Sequence, residues 1–132
     1  MEKTKIEKEV AQADFDRWFE VKKLPKTRRE GESESMVNEL LGSIEEGFIV
    51  LQDDGGVKLF LREPLTGERP LNELNFVPRL TAGQLMSKTG YAKTSQEKQV
   101  ATIAAFSDEV GGTIRALGTI DLTIAAVITN FY

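Results

Sequence analysis

Apolar residues recur along the chain first at helical spacing, then at strand spacing, then at helical spacing again. Between residues 4 and 20, Ala11, Phe15, Trp18 and Phe19 share one face of a helix, with Ile6 and Val10 beside it. The stretch KKLPKTRREGE breaks that pattern with Pro25 and Gly31 and reads as a polar linker. Met36, Val37, Leu40, Leu41 and Ile44 then predict a second helix, with Ser33 or Ser35 as N-cap and Gly47 at its end. From residue 48 the period becomes two. FIVLQ (48–52) and VKLFLR (57–62) flank DDGG, whose Asp54-Gly55 pair suits a type I′ hairpin turn. Val57, Leu59 and Leu61 point one way, Lys58, Phe60 and Arg62 the other, and Pro64 is expected to close the strand. LNELNFV (71–77) predicts a third strand after an LTGERP turn.

Helices resume after Pro78. TAGQ (81–84) and TSQE (94–97) both carry the capping-box pattern, in which a Thr hydroxyl and a residue three later satisfy orphan amides reciprocally. The second opens a helix with Val100, Ile103, Ala104 and Phe106, expected to stop at Gly111-Gly112. Residues 113–132 are helical again, with a break near Gly118. In that last segment Ile124, Val127, Ile128 and Phe131 form a core stripe, while Leu122, Ala125, Ala126 and Thr129 on the other side are small or apolar. Only Thr123 and Asn130 give it a polar edge, so it needs cover from more than one direction. The pattern predicts an α+β fold: a small antiparallel β-meander of two or three strands in the middle, packed with four or five helices mostly N- and C-terminal to it. Residues 1–30 are expected to form an N-terminal helix and basic polar linker, available as an arm, and residues 31–132 the α+β core domain.

A length of 132 residues suits one domain, which can bury roughly two-thirds of its unfolded surface without a staple. The chain has neither Cys nor His, so thiolate sites, imidazole ligands and Ser-His or Cys-His nucleophile systems cannot be built. Its net charge of −4 argues against a general nucleic-acid binder. The start, MEKTKIEKEV, is too charged for a secretory signal, and the uncharged run after Asp121 is about half the length that crosses a bilayer. A soluble intracellular protein is expected.

Candidate chemistry is sparse. Carboxylate pairs remain open in principle, but no pair is singled out, so no catalytic, cofactor or metal site is expected. GQLMSKTG (83–90) imitates a phosphate loop but has Ser87 where glycine must precede the Lys-Thr pair, so a capped helix is expected. DDGG lacks the alternating oxygen ligands of a calcium loop and reads as a turn. KKLPKTRR packs five bases into eight residues, yet Glu20, Glu30, Glu32 and Glu34 surround it, which favours a solvated linker. Trp18 with Phe15 and Phe19 either docks the first helix on its own core or anchors it on a neighbouring subunit.

Two stretches carry a family likeness. GGVKLFLREPLTGE followed by the TAGQL helix start, and IRALGTIDLTIAAVITNFY with Leu117, Asp121-Leu122, Val127 and Phe131, resemble the tail assembly chaperones of long-tailed bacteriophages. The likeness covers residues 48–132. It implies a self-associating homo-oligomer without catalysis or cofactor. Such proteins coat the tape measure protein and deliver tail tube subunits in the host bacterial cytoplasm, and they are absent from the mature virion. In many such phages a frameshift-extended form also exists. A partner or oligomer interface is then expected to draw on Phe15, Trp18, Phe19, Leu122, Ala126, Thr129, Phe131 and Tyr132. Of these, Leu122, Ala126 and Thr129 make up the second face of the last helix. The alternatives are a structural tail or connector protein retained in the virion, and a small phage regulatory module that binds through KKLPKTRR.

Overall fold

A computed structural model describes residues 6–67 and 70–132, apart from the side chains of Arg28, Arg29 and Glu32. Residues 4 and 5 of the expected first helix, and Glu68 and Arg69 of the expected LTGERP turn, lie outside the described residues. In order, the elements are α1 (Lys8–Lys22), α2 (Glu34–Glu45), β1 (Ile49–Leu51), β2 (Val57–Leu65), β3 (Leu71–Phe76), α3 (Ala82–Thr89), α4 (Ser95–Ser107), α5 (Gly111–Arg115) and α6 (Thr119–Thr129). Short 3-10 turns at Lys26–Arg29 and Gly31–Ser33 occupy the stretch expected as linker. The fold is α+β, with helices on both sides of a central sheet in the sequence. The described residues hold six helices rather than four or five.

The sheet is antiparallel, in the order β1-β2-β3. Leu59 stands between Ile49 and Leu74, and Val57 faces Leu51 on one side and Phe76 on the other. Ile49, Val57, Leu59, Leu61, Leu74 and Phe76 are buried, whereas the alternate row holds exposed Val50 and Asn75 and a Lys58–Glu73 ion pair at 3.3 Å. This is the in-out alternation expected of a sheet covered on one face.

Three local expectations are corrected. The β1–β2 turn is not type I′, which needs positive φ at both central residues. Among the described residues there, only Gly55 (φ 96°) is left-handed. Gly55 N–H donates to Gln52 O and Gln52 N–H to Gly56 O, so the loop is a three-residue turn ending in a glycine bulge. Pro64 does not close β2, which runs on to Leu65. The register jumps from Phe60↔Glu73 to Leu65↔Leu71, so Pro64 falls in a bulge where its missing N–H breaks no ladder bond. Finally, α4 ends at Asp108, left-handed at φ 56°, and Gly111 opens α5 instead of stopping α4. Asp tolerates that conformation better than most residues.

The core lies between the buried sheet face and the helices. Helix α6 rests against β2, α2 and α4, and α1 against α2 and β1. Phe15 on α1 meets Phe19 at 5.7 Å and Phe131 at 6.0 Å between ring centroids, and Trp18 meets Phe131 edge-on at 6.0 Å. The two ends of the chain therefore share one aromatic cluster.

Candidate functional site

Helix α6 begins at Gly118 without a side-chain cap, and is instead fixed by its own Asp121. That residue is only 1 % exposed. Its Oδ1 accepts the Arg62 N–H at 2.9 Å and its Oδ2 the Glu63 N–H at 3.0 Å. Both amides belong to the β2 bulge, where β3 offers them no partner. A buried carboxylate is tolerated only when its oxygens are bonded, and here each takes a backbone donor. The Leu-Arg-Glu-Pro step and the Asp-Leu pair, far apart in sequence, are thus joined at one junction.

Next to this junction, burial leaves an edge of α6 uncovered. Ile124, Ala125, Val127 and Ile128 are buried, while Leu122, Ala126 and Thr129 are half-buried. Leu122 faces a groove of about 520 Å³ that it lines with Val100 of α4 and Arg115 of α5, with Gln96 and Gln99 at the side. Thr129 Oγ1 and Asn130 Nδ2 both donate to Ala126 O, so the last turn satisfies its polar groups within the helix.

The other expected interface residues lie elsewhere. Phe15, Trp18, Phe19 and Phe131 are 0, 2, 6 and 1 % exposed, inside the chain's own core. They can reach a partner only if α1 leaves its seat. Tyr132 is half-buried, its ring 4.5 Å from Phe106 and 3.6 Å from Lys22 Nζ. Lys22 Nζ also donates to Pro78 O and lies 5.6 Å from the Trp18 ring, whose Nε1–H donates to Gly55 O at 2.9 Å. This cation between two aromatic faces fastens α1 to the hairpin and to the C-terminal turn. Burial, with Arg79 adding repulsion against a weaker pull from Asp54, lowers the Lys22 pKa to about 8. Burial, then Asp54, pushes the Tyr132 hydroxyl above its usual range.

GQLMSKTG falls in α3, whose capping box is complete: Gln84 N–H donates to Thr81 Oγ1 at 3.1 Å and Thr81 N–H to Gln84 Oε1 at 2.9 Å. No loop of bare amides exists there. In DDGG, Asp54 Oδ1 accepts the Gly56 N–H at 2.8 Å, bonding its own turn. KKLPKTRR spans the end of α1 and a 3-10 turn, and the side chains of Arg28 and Arg29 lie outside the described ones. Among the described residues, no three His, Cys, Asp or Glu side chains gather to hold a metal ion. No helix among them is long and apolar enough to cross a membrane. Sequence reasoning missed the Asp121 junction and the Lys22 clamp. The first left a signal: one acid at the head of an otherwise uncharged segment, which burial obliges to find donors. Compared with protein-family models, curated proteins and solved structures, the chain matches none.

Proposed function

We propose that the chain is a tail assembly chaperone of long-tailed bacteriophages. It self-associates and binds the tape measure protein and tail tube subunits in the host bacterial cytoplasm. It acts by binding alone and leaves before the virion is complete. The observation that carries this reading is the Asp121 junction. The two stretches that bear the family likeness form one tertiary unit there, through Arg62 and Glu63 N–H, which supports reading them together as one functional unit. Half-buried Leu122, sharing with Val100 a groove otherwise lined by Thr94, Gln96, Glu97, Gln99 and Arg115, offers the client an apolar foothold with polar groups around it and needs no rearrangement of the core.

Co-expression with the tape measure protein tests the reading. The wild-type chain keeps that protein soluble and co-purifies with it, and Leu122→Glu loses both while its circular dichroism is unchanged. Equal tape measure solubility with and without the chain overturns the proposal. Stoichiometric chain in purified virions, read by mass spectrometry, favours a structural tail protein instead.

A further inference from the structure

A second groove, of about 340 Å³, opens where α3, the C-terminal half of α4 and the start of α5 meet. Its floor is the small-residue face of α4, formed by the buried Ala101, Ala104 and Ala105. Tyr91 and Val110 stand at its rim, 59 and 57 % exposed. Lys88 lines it from α3, and Asp108 and Glu109 line it from the end of α4. Among the described residues, neither these three charged side chains nor Arg115 beside Gly111 makes an ion pair or side-chain hydrogen bond. Helix α3 packs along α4 without burying any of its own residues fully, so this side of the fold is left unfinished.

We propose that this groove is a two-fold contact between two copies of the chain, with Lys88 of each facing Glu109 of the other. A two-fold interface sets one patch against itself, so each charge must meet its opposite after rotation. A groove with a free cation on one wall and free anions on the other meets that condition. A partner of single sign is repelled by one wall whichever way it lies. The apolar rim supplies the contact: Tyr91 of one copy covers the alanine floor of the other, an aromatic anchor over small residues. This inference rests on the self-association in the chaperone reading and gives it a surface; its test uses the purified chain alone, so its failure is distinct from a failure to solubilise the tape measure protein.

The test is a charge exchange followed by sedimentation equilibrium. Glu109 is used because Asp108 holds a left-handed φ of 56° that Lys would strain. The wild-type chain is expected to dimerise. Lys88→Glu and Glu109→Lys, each alone, weaken dimerisation by at least about tenfold, because each sets like charges together twice. Mixing the two variants restores a heterodimer, and so does the K88E/E109K double variant as a homodimer. Lys88 is exposed and Glu109 half-buried, and circular dichroism verifies that each variant is folded. A wild-type monomer at every concentration, a dimer indifferent to both reversals, or failure of the mixture to recover overturns the proposal.

Discussion

Helices α3 and α6 are held by opposite means. Helix α3 is specified locally: its capping box is complete, Lys88 sits in its last turn to complement the helix dipole, and it buries no residue. Helix α6 has little local support. It lacks a side-chain cap and is rich in β-branched residues such as Ile120, Thr123, Ile124, Val127 and Ile128, which helices accept less readily. Yet α6 is the helix that the sheet, α2 and α4 enclose, with Asp121 locked to the β2 bulge. Short helices are marginal in water unless an apolar face is packed away. The contrast teaches that strong capping marks where a helix begins, whereas burial decides how firmly it is held.

The sharpest way to break this contrast is Asp121→Ala. It strands two backbone donors of the bulge and is expected to cost about 2–3 kcal/mol of global stability in urea denaturation. A loss under about 0.5 kcal/mol would mean that water serves those amides equally well. Thr81→Ala should act more locally, loosening α3 by about 1 kcal/mol. Amide exchange in α3 should then accelerate while the urea midpoint hardly moves; an equal shift of both would tie α3 into the global unit.

Lys22→Met should change a slope more than a level. The folded pKa of Lys22, about 8, lies below its ordinary 10.5, so between those values the folded chain holds fewer protons than the unfolded one. The stability this contributes is therefore lost as pH falls through about 8 and grows as pH rises above it. Tyr132, with its pKa raised from 10.0, opposes this at higher pH, so the clean window runs from pH 8 to 10. Across it the wild type should gain stability relative to Lys22→Met. Parallel profiles would mean that Lys22 is solvated as freely in the folded chain as in the unfolded.

Most of the architecture was legible because the period of apolar residues changes with the element. Val57, Leu59 and Leu61 announce a one-sided strand, and Ile124, Val127, Ile128 and Phe131 announce a core stripe; all seven are buried. What escaped were places where tertiary partners override a local rule. Pro64 reads as a strand end, but the bulge removes the bond it would have broken. Gly111-Gly112 reads as a stop, but Asp108 had already turned the chain. The interaction surfaces were the least legible. The aromatic trio of α1 allowed two readings, and which one holds depends on Phe131, whose proximity no local pattern reveals. Tyr91 and Val110 belong to no periodic stripe, so only the meeting of three helices brings them to one rim.

The contact of Phe15 and Trp18 with Phe131 also bears on how the chain is made. On the ribosome Phe15 and Trp18 emerge more than a hundred residues before the ring that completes their seat. At roughly 5–20 residues per second, the nascent aromatic face stays bare for several seconds or more. During that interval the newborn polypeptide presents the kind of surface that holding factors grip, and α1 can settle only after elongation has reached Phe131.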